Sequence, residues 1–225
     1  MFAHNQIEPI VDTNAEPENA KLLDMRFRAL VGEEAWCNLP ARTQARFTKR
    51  LSGGDSCVFR GEVNETRFSV AGFCLAQICR VIGAPLPLEK SDGQNAAVVT
   101  VTEEPTVQGQ IWSRHYNRRN GFPQVIHSTK SFAGPTGLQE CTEGGVGMSL
   151  ILKAEDGVLK FLSHRYFFSV FGKQVILPRW VCPGRMLLQH EDKGEGEFVF
   201  TLSLVHPLLG ELIYQRATFR DQKEA

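Results

Sequence analysis

From Ala97 to Phe219 apolar and polar positions alternate with a period of two, while helical spacing is confined to shorter stretches before it. A period of two sends successive side chains to opposite faces of a strand, and recurrence at three and four residues marks one face of a helix. In Ala97–Glu103, Ala97, Val99 and Val101 oppose Val98, Thr100 and Thr102. Gly109–Asn117 puts Trp112, Arg114 and Tyr116 on one face and Ile111, Ser113 and His115 on the other. Strands are also predicted over Gln124–Phe132, Leu138–Thr142 and Met148–Glu155, with Asn120-Gly121 and Asp156-Gly157 as turn pairs. Val158–Phe171 is apolar on both faces, which predicts a central strand covered on both sides. Gln174–Leu177, Met186–Glu191, Glu197–Val205 and Leu212–Phe219 complete the set. In Glu197–Val205 the core face is Phe198, Phe200, Leu202 and Leu204. Pro178-Arg-Trp180 interrupts the pattern as a rigid corner, and His206-Pro207 begins a turn between the last two strands.

The preceding region reads differently. Met1–Glu18 is polar and aperiodic. Ala20–Val31 predicts a short helix, and Asn38-Leu-Pro40 predicts the start of another over Ala41–Leu51, with Asn38 as its cap and Ser52-Gly53-Gly54 as its stop. Cys57–Asn64 is a first strand in which Gly61 marks a bulge or a close approach. Phe68–Ile82 is a helix by the spacing of Phe68, Ala71, Leu75, Ile78 and Ile82, ended by Gly83-Ala-Pro85. Its other sides carry Val70, Phe73, Cys74 and Val81, and a helix apolar all round is either deeply buried or touches lipid. Burial is the expectation.

The order is strand, helix, then about eight strands. Without alternating βαβ units, Rossmann and TIM architectures are excluded. A chain ending on a strand argues against a helix-grip fold closed by a long C-terminal helix. The predicted fold is α+β and mainly β: a strongly curved antiparallel sheet or partly open β-barrel, with two or three N-terminal helices, one of them (about 68–82) packed on the sheet. Curling the sheet removes exposed edges. The expected organisation is a flexible polar tail over 1–19 and a single domain over 20–221.

Composition narrows the function classes. The 225 residues carry 25 Lys+Arg against 25 Asp+Glu, so there is no basic excess for nucleic acid. The six cysteines form no C-x-x-C pair and several lie in apolar runs, which predicts free, buried thiols in a reducing compartment. The first residues lack the basic and apolar regions of a signal peptide, and the longest apolar stretch is too short to span a bilayer. A cytoplasmic protein is expected. No histidine pair has metal-ligand spacing, no cofactor motif is evident, and Gly144-Gly-Val-Gly147 precedes a strand rather than the helix N-terminus a phosphate loop needs.

Trp36, Leu39-Pro40, Gly53-Gly54, the apolar helix ending in Gly83-Ala-Pro85 and the Val98–Glu103 strand form an ordered set of landmarks. It continues with Ile111-Trp-Ser-Arg-His-Tyr116, Leu177-Pro-Arg-Trp180 and His206-Pro-Leu-Leu-Gly210 followed by Tyr214. In these features the segment from about Leu30 to Phe219 resembles the bacterial family DUF4166, a domain of unknown function. The resemblance implies no reaction. It diverges around Thr142–Gly147, and the relatives' likeness to the C-terminal part of oxidoreductase-like fusions implies a binding role beside an enzyme.

Candidate ligand-binding residues are Trp112, Arg114, Tyr116, Arg179, Trp180 and Tyr214; no catalytic or metal residue is assigned. A guanidinium between two aromatics can hold a carboxylate or phosphate while apolar walls take a tail. The competing reading places Arg114 on a wet outer face. For Arg179-Trp180 a gating lip competes with a packed corner, and the packed corner is expected. The leading function is non-enzymatic binding of an amphipathic or acidic small molecule or lipid in the concavity. The alternatives are a pocket enzyme, an isomerase or hydrolase using Arg114 with His115 or His164, and a protein-docking module.

Overall fold

The computed structural model describes residues 23–52, 54–81, 83, 86–87, 95–118 and 121–221. The tail expected over 1–19 lies outside the described residues, as does Ile82 at the expected helix end. Three short helices come first: α1 (Arg26–Val31), α2 (Glu33–Cys37) and α3 (Ala41–Thr48). Strand β1 (Ser56–Phe68) and helix α4 (Val70–Val81) follow. Then come β2 (Asn95–Glu104), a 3-10 turn at Pro105–Val107, β3 (Gly109–Tyr116), β4 (Gln124–Ser131), β5 (Gln139–Thr142) and β6 (Val146–Glu155). The chain continues with β7 (Val158–Val170), β8 (Lys173–Ile176), β9 (Arg185–Gly194), β10 (Glu197–His206) and β11 (Gly210–Arg220). Ten strands thus follow α4 rather than about eight. Asn38 ends α2 instead of capping α3, whose first turn follows Pro40.

The sheet is closed, not partly open. Strands β1 to β7 pair antiparallel in chain order, β7 pairs β9, and β9, β10 and β11 lead back to β1, giving a ten-strand barrel. Strands β8 and β9 share one edge of β7, with the 177–184 corner between them. The seam between β1 and β11 depends on Gly61, where a Cβ would lie 2.0 Å from the Thr218 carbonyl oxygen. Closure leaves no long edge to solvent.

Register fixes the inner face. Val99 and Val101 of β2 oppose Arg114 and Trp112 of β3, and Ala97 opposes Tyr116. On β10 the expected residues face inward: Phe198 and Leu204 are buried, and Phe200 and Leu202 pack against the core. One barrel end, called here the closed end, is plugged by α1–α3, whose Phe27, Trp36 and Phe47 are buried. Phe27 and Phe47 meet Phe161 edge-on or tilted, and Phe47 meets His190 edge-on. Arg46 seals this end with charge-assisted bonds of 2.8 Å to Asp192 and Asp221.

The opposite end is the mouth, spanned by α4. Gly72 lies so close to β11 that a Cβ would come 1.8 Å from the Leu212 carbonyl oxygen, and the Gly144 amide, in the β5–β6 turn, donates to the Gly83 carbonyl at 3.1 Å. The deep burial expected of this helix does not hold. Gly72 and Ala76 are buried, while Val70, Phe73, Ile78 and Val81 are exposed, because one side rests on the barrel and nothing among the described residues covers the other. The C-terminal end of β7 and the tip beyond it are likewise uncovered among the described residues, against the expected double cover: Val170 is 37% and Phe171 100% exposed. The expected packed corner fails too, because Trp180 is 83% exposed. All six cysteines are free, but none is fully buried: Cys37 and Cys74 are exposed and the others half-buried.

Candidate functional site

The β3, β4 and β5 wall carries an ionic group on its inner face. Antiparallel register sets Gln110 opposite Lys130, Trp112 opposite Ser128, and Lys130 opposite Glu140. Glu140 accepts from Arg114 Nη2 at 2.9 Å and from Ser128 Oγ at 2.5 Å, and its other oxygen lies 3.0 Å from Lys130 Nζ. Arg114 Nη1 donates to Ser128 Oγ at 3.0 Å. The Lys130 ammonium sits 4.5 Å from the centre of the Trp112 ring, a cation–π contact. Trp112 Nε1 donates to Gln110 Oε1 at 3.1 Å.

Two cations therefore share one carboxylate. Burial alone would raise the Glu140 pKa, but Lys130 and Arg114 outweigh it and hold the carboxyl well below the usual range. Burial lowers Lys130 to about 8, with Glu140 opposing and Arg114 assisting. At neutral pH the group keeps an uncompensated positive charge against the barrel wall.

Interior accessibility changes along the barrel axis. Towards the closed end the inward residues are sealed: Leu159, Phe161, His190, Phe198 and Phe219 are all buried. A void of about 30 Å³ remains there, lined by Gln110, Trp112, His190 and neighbouring phenylalanines, with room for one or two waters. Among the described residues neither His190 ring nitrogen has a hydrogen-bond partner, and burial, followed by the nearby Arg46, lowers this histidine to about 3. Nearer the mouth, the inward Arg114, Tyr116, Met148, Tyr166, Leu188 and Leu202 are only half-buried. Burial pushes the Tyr166 phenol up to about 12 and also raises Tyr116. The inner face near the mouth thus carries phenolic and aliphatic side chains with the Arg114 guanidinium among them, and α4 crosses that end.

Of the six candidate residues, the structure brings Trp112, Arg114 and Tyr116 together inside the barrel; strand alternation predicted their shared face, and the structure places that face inward. Arg179 and Trp180 are exposed on the corner at the mouth. Tyr214 is on the outer wall, where Arg67 stacks on its ring at 4.2 Å. His115 lies on the opposite strand face from Arg114, and His164 is exposed, so the pairing named for an enzyme is not assembled. Among the described residues no group of His, Cys, Asp and Glu is arranged to hold a metal ion, and no helix is long and apolar enough to cross a membrane.

Sequence reasoning missed Ser128, Lys130, Glu140 and His190. The signal for the first two was modest: they share the alternate positions of Gln124–Ser131 with Ile126, so a lysine follows the face of a core residue. Glu140 carries no local sign of burial, since its partners lie 10 and 26 residues away.

A family model matches residues 39–219: the domain of unknown function DUF4166. No curated protein and no solved structure matches the chain.

Proposed function

The chain belongs to the DUF4166 family, which names no activity, and from the barrel itself we propose that it binds an amphipathic small molecule bearing an acidic group. The reading is carried by the positive charge left over where Arg114 and Lys130 share Glu140 on the inner wall, next to inward residues near the mouth that are only half-buried. A ligand carboxylate or phosphate would complete the neutralisation, and charge-assisted bonds in a partly desolvated site are strong. Tyr116, Met148, Leu188 and Leu202 offer an apolar wall to its tail. Binding without catalysis fits an interior whose titratable groups are tied to each other or, as with His190, packed among aromatic rings.

The test is native mass spectrometry of the purified protein, followed by titration with fatty acids, lysophospholipids and their neutral isosteres. Acidic ligands should bind and neutral ones should not. Arg114→Gln should weaken acids roughly 10- to 150-fold, as loss of one charge-assisted contact does. It leaves the Lys130–Glu140 pair balanced, so the melting temperature should move little. Equal binding of neutral and acidic isosteres by both proteins would sink the reading.

A further inference from the structure

We propose that the mouth of the barrel is a docking surface for an anionic membrane. Among the described residues, sixteen of the nineteen exposed large apolar side chains lie on elements at this end; Leu23, Met25 and Val107 are the exceptions. They come from separate parts of the rim. Phe122 lies in the β3–β4 turn, Phe171 at the β7–β8 tip, Trp180 on the corner, Leu208 in the β10–β11 turn, and Val70 and Val81 on the outer side of α4. Their exposures run from 83% to 100%. Bulky side chains raised on several loop tips suit insertion among lipid headgroups and acyl chains better than the continuous, shape-matched core of a protein interface.

Charge selects the same partner. From Gly157 through His190 the chain contains no aspartate or glutamate, yet this segment supplies the β7–β8 tip and the corner. Lys173, Arg179 and Arg185 are exposed within it, and Arg80 is exposed on α4. Glu143 and Glu211 are exposed acids on the rim, and Arg67 holds Glu211 at 3.3 Å. Aromatic tips interleaved with cations match a surface of acidic headgroups over hydrocarbon. The apolar outer face of α4, which no described residue covers, would lie against this surface. The inference rests on the exterior and stands apart from the Arg114 reading.

Co-sedimentation of the full chain with phosphatidylcholine vesicles, with and without 30% phosphatidylserine, tests it. Binding is expected to the anionic vesicles and to fall as salt rises. Lys173→Gln with Arg179→Gln should reduce partitioning roughly thirtyfold, at about fivefold per cation. Phe171→Ser with Trp180→Ser should reduce it by more than about tenfold, with unchanged melting temperature. Arg114→Gln should bind vesicles like the wild type, which separates failure of this inference from failure of the ligand reading. Absence of binding to anionic vesicles overturns the proposal, as does equal binding by both double variants. A dimer in light scattering that the Phe171→Ser, Trp180→Ser variant dissolves, without vesicle binding, would assign the surface to a second copy and overturn it equally.

Discussion

The two ends of the barrel are built from the same strands and finished in opposite ways. At the closed end three helices bury Phe27, Trp36 and Phe47 in the core, and Arg46 joins α3 to Asp192 on β9 and to Asp221. At the mouth a single helix crosses the opening, its outer side exposes Val70, Phe73, Ile78 and Val81, and the rim turns expose aromatic and aliphatic tips. An apolar element is stabilised by contact on each face it offers. The closed end satisfies that within the chain. Among the described residues the mouth has no such cover, and the proposed docking surface rests on that difference.

The largest effect should come from breaking the closed end. Arg46→Ala removes a side chain only 8% exposed and leaves Asp192, 9% exposed, without its cation. It also uncovers the Phe198 ring, which the Arg46 guanidinium overlies at 4.3 Å. Loss of about 3–5 kcal/mol is expected in urea unfolding, as for a broken buried ion pair.

The ionic wall between the two ends should show in the pH dependence. Because Lys130 is lowered to about 8 from 10.5, the unfolded chain holds its proton where the folded protein has released it. Stability should therefore rise with pH between about 8 and 10.5, with a slope of at most about 1.4 kcal/mol per pH unit. Lys130→Met should flatten that limb in denaturant midpoints measured across this window. An unchanged limb would show that Lys130 does not titrate as its burial implies.

Loosening the lid sharpens the comparison from the other side. Gly72→Ala forces a methyl towards the Leu212 carbonyl oxygen and should cost about 1–3 kcal/mol. If α4 yields, the half-buried Cys79 should react faster with a thiol reagent, while unfolding of the closed end stays unchanged by near-ultraviolet circular dichroism. The smallest stability effect belongs to the mouth tips. Phe171→Ser should shift stability by less than about 0.5 kcal/mol in the same urea assay, because a fully exposed ring has little to lose on truncation.

The alternation of Gly109–Tyr116 was enough to put Trp112, Arg114 and Tyr116 on one face, since a strand's period of two survives small errors in its ends. The sequence likewise located α4 and nearly every strand, and with them a mainly β sheet curved to protect its edges. It could not say that the sheet closes, because closure is a pairing of β1 with β11 across some 150 residues and turns on the space left by Gly61. Nor could it say which face of the wall is inside. That decided Arg114 and Tyr214 in opposite directions, although both were candidates for the same site. The apolar surround of α4 and the apolar β7–β8 tip were plain in the sequence, but hydropathy measures only what a side chain prefers. Whether another part of the chain meets that preference is a property of the tertiary structure, and among the described residues it is met at one end of the barrel and left open at the other.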